Sequence, residues 1–254
     1  MTPLVLDETA VRNRLAPLIE DPTFRRATTN LAGDRLFLSV FLMGVSLGEG
    51  LGEAGVAAIG QEEVARLMHD VRRQEFEEHG HMESTRLVAC ELFPDFFEDG
   101  HYRYQDRLLG TDYYFTVREA NRTRLRARDR YSRLNLYMTT TFGYEIMVQL
   151  LYGAVIEAVC RSPLSEVIRE RVEFVLTAIL RQEETHLGLI AQHNALLAAD
   201  RSALSASACA ALDQLARLDV EDYEWAAERA VREIVSSVAV YADPAAVRAH
   251  LGDA

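Results

Sequence analysis

The chain has 254 residues, of which 49% are hydrophobic, and it carries a formal net charge of −12. This length allows one sizeable core, so we expect a single helical domain over residues 1–254. The acidic balance argues against a nucleic-acid partner, because nucleic acids are bound by basic surfaces. No apolar run reaches the roughly 18 residues of a membrane span, and the first residues lack a signal pattern. We therefore expect a cytoplasmic protein with no membrane partner.

All 27 basic residues are Arg, and the chain contains no Lys. This excludes lysine Schiff-base chemistry and the lysine-dependent phosphate loop. The three cysteines, Cys90, Cys160 and Cys209, are far apart and form no C-x-x-C pair, so we expect buried thiols rather than disulfides or a thiolate metal site. Any enzymatic chemistry in this chain would rest on carboxylates, histidines and a metal.

The long stretches rich in Ala, Leu, Glu and Arg predict an all-α chain. Asp34 is a good N-cap for the first long helix, and Ser162 followed by Pro163 is the cap expected to begin the fourth. The four long helices are expected over about Asp34 to Ala58, Gln61 to Leu92, Ser132 to Cys160, and from after Pro163 to Ala199. Weaker helices are expected over Glu8 to Ile19, Leu204 to Leu218, Glu221 to Val238 and Ala245 to Leu251.

The four long helices form two pairs with a short turn inside each pair. About forty residues, Phe93 to Arg133, separate the pairs and contain Pro94, Gly100 and Gly110. This spacing predicts a four-helix bundle over about 34–199 with one long crossover between the second and third helices. A C-terminal helical extension is expected over about 204–251.

Glu and His three residues apart lie on one face of a helix and can reach the same metal. The chain contains three such pairs: Glu78-x-x-His81, Glu98-x-x-His101 and Glu183-x-x-His186. The middle pair follows Pro94 and contains Gly100, where a regular helix is not expected, so we interpret it as a chance match. The other two lie deep inside the second and fourth helices and predict one site between them.

The first and third helices should each contribute one further glutamate at the same depth. In the third helix Glu145 is level with Glu183, whereas Glu157 lies about 18 Å too close to the turn. In the first helix we select Glu49, with Glu53 as the alternative. Helical glutamates usually face solvent, but buried carboxylates are costly unless they are paired or bind cations, so the combined pattern favours a metal site.

With these motifs the chain resembles the ferritin-like diiron carboxylate superfamily over about residues 34–199. The resemblance implies a ferritin-like four-helix bundle, two Fe ions with Mn as the alternative, and O2 as co-substrate. It also implies that Glu78 and Glu183 bridge the metals, while one site is completed by Glu49 and His81 and the other by Glu145 and His186. The arylamine N-oxygenases of this superfamily have an additional His where this chain has Ile179, so the resemblance extends only to the type of chemistry.

Metal-bound imidazoles usually donate their second N–H to a carboxylate or carbonyl. The residues directly before the bridging glutamates face the neighbouring helix, so we expect Gln182 near His81 and Glu77 near His186.

Residues one turn from the ligands should line the same interior and either form a substrate pocket or fill the core. They are Leu42, Val45, Ser46, Met82, Met138, Thr141, Phe142 and Ile190. We single out Thr141 and Phe142 as catalytic-pocket residues for a substrate with an apolar part. Glycines beside the ligands, among them Gly80 and Gly188, indicate either tight helix packing or space for O2.

Seven arginines between Arg118 and Arg133 form either a solvated face or a docking site for an anionic substrate or an acidic partner. The leading hypothesis is a diiron monooxygenase or oxidase of a small organic substrate, in biosynthesis, with an external electron donor such as a ferredoxin. The alternatives are a ferroxidase or iron-binding ferritin-like protein, a diiron RNA hydroxylase, and a bundle with a structural metal only. The sequence leaves open whether the chain forms a homodimer.

Overall fold

The computed structural model describes residues 8–56, 65–108, 145, 146, 148–199 and 235–252. Its helices are α1 Glu8–Ile19, α2 Pro22–Gly33, α3 Arg35–Val56, α4 Ala65–Leu92, α5 Val148–Cys160, α6 Glu166–Ala199 and α7 Pro244–Leu251. Glu145 and Ile146, just before α5, and residues 235–239 are also helical. Helix accounts for 85% of the described residues, as expected from the sequence. The predicted helices over 204–218 and most of 221–238 lie outside the described residues.

Capping residues begin the helices α2 and α3. Of the two caps predicted from the sequence, that of α3 is confirmed and that of the fourth long helix is wrong. The Asp34 carboxylate accepts from Leu36 N at 2.9 Å and begins α3 as predicted. Asp21 and Pro22 begin α2 in the same way, a helix that the sequence analysis missed. The prediction that Ser162 caps the fourth helix is wrong, because Ser162 N still donates to Val159 O at the end of α5. Helix α6 begins at Glu166 instead.

Helices α3 and α4 form an antiparallel hairpin. Arg35 donates to Leu92 O at 3.3 Å, and the Ser46 hydroxyl donates to Met82 O at 2.8 Å. Low residue numbers in α3 therefore lie opposite high numbers in α4. This register places residue 49 level with residues 78–79.

Helix α6 is antiparallel to α4, and α5 packs against α3. The first relation follows from the contact of Glu91 with Arg171, near the end of α4 and the start of α6, at 2.9 Å. The rings of Phe41 in α3 and Tyr152 in α5 meet edge to face with centroids 6.2 Å apart. Each of the described helices α1 to α7 contributes buried residues to one hydrophobic cluster.

A short β-hairpin follows α4, in the segment predicted as the crossover. Strands β1, Phe97–Glu98, and β2, His101–Tyr102, pair antiparallel. The turn residues Asp99 and Gly100 both have positive φ, 49° and 79°, which is the geometry that Asp-Gly favours in two-residue hairpins. Glu98 and His101 are exposed on this hairpin, so this third Glu-x-x-His pair is indeed unrelated to the other two.

Two spacings in α3 match known enzyme motifs without their structural context. Residues 44–48 match the G-x-S-x-G spacing, and residues 50–55 match the G-x-G-x-x-G spacing. A nucleophile elbow and a dinucleotide-binding loop both require a strand, a turn and then a helix. Here both segments lie inside one continuous helix, so neither predicts a hydrolase or a nucleotide site.

The C-terminal segment packs against the start of the bundle. Asn30 Nδ2 donates to Tyr241 O at 2.9 Å, and Arg248 forms an ion pair with Asp34, the N-cap of α3. Asp243 caps α7 by accepting from Ala245 N at 3.1 Å. This confirms the helix predicted over Ala245 to Leu251.

The cysteines differ from the prediction. Cys160 is exposed, with its thiol 3.5 Å from Glu173 Oε2, and Cys90 is only half-buried. The expectation of buried thiols is therefore wrong for Cys160, because it sits on the outer face at the end of α5. Cys209 lies outside the described residues.

No single described helix is long and apolar enough to cross a membrane. Only α2 together with residues 35–48 of α3 reaches the necessary composition, as a pair bent by 105°.

Gly80 and Gly188 are exposed, and nothing lies within 4 Å of the position of an added Cβ. We expect Gly80→Ala to stabilise the fold by about 1 kcal/mol, because alanine has the higher helix propensity. Gly100→Ala should instead destabilise by about 1 to 2 kcal/mol, since its φ is +79°. Urea denaturation would measure both. Loss of stability in Gly80→Ala would show that this glycine is needed for close packing.

Candidate metal centre

The central side chains occupy core positions of their helices. In α6 the buried face runs through Leu176 and Ile179 to Glu183 and His186, at the spacing of one helix face. Glu183 is 1% exposed and His186 0%. The buried face of α6 is thus apolar up to Ile179 and then carries two ionisable side chains.

The same pattern recurs in α4 and just before α5. Glu78 is 7% exposed, His81 3% and Glu145 3%. Antiparallel packing of α4 on α6 brings the two predicted Glu-x-x-His pairs together, and the ring centroids of His81 and His186 lie 6.2 Å apart. The two pairs therefore form one buried cluster of carboxylates and imidazoles between α4 and α6.

Two glutamates lie between the histidines and present one oxygen to each. Glu183 Oε2 is 2.7 Å from His186 Nδ1, and its Oε1 is 3.3 Å from His81 Nδ1. Glu78 Oε1 is 3.6 Å from His186 Nδ1, and its Oε2 is 3.8 Å from His81 Nδ1. This is the arrangement that two carboxylates need to bridge a pair of cations.

Glu145 completes one side of the cluster. Its Oε1 lies 3.5 Å from His186 Nδ1. Ligand atoms from four residues lie within 4.8 Å of one another, namely Glu78, Glu145, Glu183 and His186. Glu157, which the depth argument excluded, is exposed and pairs with Arg161.

The outward nitrogens of both histidines meet the residues that helix phase predicts. His186 Nε2 lies 2.9 Å from Glu77 Oε2, and His81 Nε2 lies 2.5 Å from Gln182 Oε1. These contacts favour the tautomer in which Nε2 carries the proton and Nδ1 can bind a metal.

Gln74 is a polar residue of the site that the sequence analysis missed. It is 6% exposed, and its Nε2 donates to Glu145 Oε1 at 2.9 Å. Gln74 precedes Glu78 by four residues, so its place on the ligand face of α4 could have been found from helix periodicity. The equivalent position in α6 is Ile179, which is buried.

The remaining predicted ligand comes from α3. The register of α3 on α4 places Glu49 level with Glu78 and Glu53 one turn away from that level. The side chains of Glu49 and Glu53 lie outside what the structure describes, so Glu49 stays a prediction.

The predicted pocket is described only in part. Leu42 and Val45 are buried in the core, and the Ser46 hydroxyl ties α3 to α4 through Met82 O. Met138, Thr141 and Phe142, the side chain of Ile190 and the arginines from 118 to 133 lie outside the described residues.

The electrostatics of the cluster are dominated by carboxylates. Burial disfavours ionised Glu183, but hydrogen bonding with Glu145, His186 and His81, together with the charge of His186, outweighs it and lowers the pKa of Glu183. Burial likewise disfavours the imidazolium of His186, yet the hydrogen bond and charge of Glu183, with Glu78 and Glu77, raise its pKa. Buried carboxylates of this kind hold their charge when cations lie beside them.

The donor set fits hard or intermediate divalent cations. Three carboxylates and an imidazole form the described group, and none of its members is a thiolate. Such sites suit Fe or Mn better than metals that prefer sulfur.

Comparison with protein-family models, with curated proteins and with solved structures gave no match for this chain.

The raised pKa of His186 has a consequence for protein freed of divalent metal with a chelator. The contribution of His186 to stability should be fully present below pH 6.5, its usual pKa, and should be lost as the pH rises through the raised value. Urea denaturation between about pH 6 and about pH 9 would measure this. His186→Gln should remove much of the slope in this window, and an unchanged slope would assign the effect to another group.

Proposed function

We propose that this chain is a ferritin-like diiron carboxylate protein that uses O2 to oxidise a small organic substrate. The observation that carries the proposal is the pair of shared glutamates, each with one oxygen toward His81 Nδ1 and the other toward His186 Nδ1. Helices α4 and α6, which carry the two Glu-x-x-His pairs, are antiparallel, as a bundle of this type requires. When bound, two Fe(II) ions would supply electrons for the reduction of O2.

The residues of the chain would hold such a pair in defined roles. Glu78 and Glu183 would bridge the ions, Glu145 and His186 would complete one position, and His81 with the predicted Glu49 would complete the other. Gln74 orients Glu145 by donating to its Oε1, the oxygen that lies 3.5 Å from His186 Nδ1. The surrounding apolar core keeps bulk water away from these groups.

Substrate oxygenation by O2 needs an outside source of electrons, because one oxygen atom enters the product and the other leaves as water. No group on the described part of the chain carries such electrons. The proposed partner is a one-electron donor protein such as a ferredoxin, as expected from the sequence.

The metal stoichiometry tests the first part of the proposal. Protein loaded anaerobically with Fe(II) should hold two ions per chain, measured by elemental analysis after desalting. His186→Gln and His81→Gln should each lower the content toward one ion, because each removes a ligand to one position. The matched control is His101→Gln, since His101 belongs to the exposed Glu-x-x-His pair on the hairpin. If all three variants hold as much iron as the wild type, the proposed site is refuted.

Reaction with O2 tests the second part. The Fe(II)-loaded protein should consume about one O2 per pair of ions, with a transient optical absorption, because a two-metal site delivers electrons jointly. An oxygen electrode and stopped-flow absorption would follow this. Continued uptake of added Fe(II) into a ferric mineral would instead indicate a ferroxidase, and no reaction with O2 would indicate a structural metal site.

A further inference from the structure

The two histidines of the site have chemically different outer partners. His186 Nε2 meets a carboxylate, Glu77, whereas His81 Nε2 meets a neutral amide, Gln182. On the inner side, both Nδ1 atoms face the same two glutamates, Glu78 and Glu183. The outward nitrogens therefore differ in the charge of their partners, whereas the two shared glutamates are common to both rings.

Glu77 is held as a charged acceptor. Its Oε1 accepts from Arg73 Nε at 2.9 Å while its Oε2 faces His186. The Arg73 side chain is 53% exposed, so solvent screens its charge and it offsets little of the field of Glu77 at His186.

A carboxylate acceptor makes an imidazole a stronger ligand than an amide acceptor does. The hydrogen bond to a charged acceptor is stronger, and it stabilises the positive charge that the ring gains on binding a metal. The position beside His186 is therefore the one that should bind a cation more tightly.

From this asymmetry we infer that the two metal positions are inequivalent, and that the ion beside His186 binds first and more tightly than the ion beside His81. The inference rests on the proposed dinuclear site and adds to it an order of loading. The residues that set the order are Glu77 and Gln182, which act as positioning residues through the histidines.

Titration of metal-free protein with Co(II), followed by its visible absorption, gives the two stepwise binding constants. Wild type should show two constants that differ by more than the statistical ratio for identical positions. Glu77→Gln should weaken the first step by about tenfold or more, because it keeps the shape but removes the charge. Gln182→Glu should strengthen the second step by a similar factor.

The combined exchange, Glu77→Gln with Gln182→Glu, should restore the separation of the two constants with the order reversed. Glu83→Gln is the matched control, because Glu83 is on the same helix and pairs with Arg86 instead of a histidine; it should change neither constant. If Glu77→Gln fails to fold, Gln182→Glu decides alone, since it adds a charge rather than removing one.

The outcomes separate this inference from the proposed function. Two equal constants in wild type, or an unchanged second step in Gln182→Glu, would overturn the loading order while leaving a dinuclear site intact. Failure of wild type to bind Co(II) at all would overturn the dinuclear site itself.

Discussion

Burial of several carboxylates at one point of a helical core is the constraint on which the architecture depends. Glu78, Glu145 and Glu183 are withdrawn from water, and two imidazoles, even if both are protonated, carry less charge than these three groups. Isolated charges in such surroundings are strongly disfavoured. The helices must therefore hold the carboxylates where cations, or protons shared among the carboxylates, His81 and His186, can neutralise them.

The rest of the fold fixes the helices at the register that this cluster needs. The hydroxyl of Ser46 joins α3 to α4 close to the level of the site, and Asp34 caps α3 while it pairs with Arg248 from the C-terminal helix. A shift of one residue in either helix would rotate a ligand by about 100° away from the cluster. Caps and polar contacts outside the site thus act on its geometry.

The features that could be predicted from the sequence are those that depend only on the periodicity of a single helix. The spacing of Glu78 and His81, repeated in α6, placed both pairs on buried faces, and phase alone placed Gln182 beside His81. Features that depend on contacts between distant segments were missed or wrong. Helix α6 does not begin at the predicted cap, because Ser162 is still hydrogen-bonded to the end of α5. The exposure of Cys160 could not be predicted, because it depends on which face of α5 packs against the core.

The two Glu-x-x-His pairs are nearly symmetric, but they differ in the outer partners of their histidines. A difference at this place would change how strongly each histidine binds a metal. A structural role alone would be served as well or better by apolar side chains of similar volume, because buried ionic networks seldom add net stability. Instead the core retains its carboxylates and both imidazoles, and it gives one ring a charged partner, Glu77, and the other a neutral one, Gln182. The stability of the fold does not require the two imidazoles to have different partners, whereas two cations of different reactivity would require it.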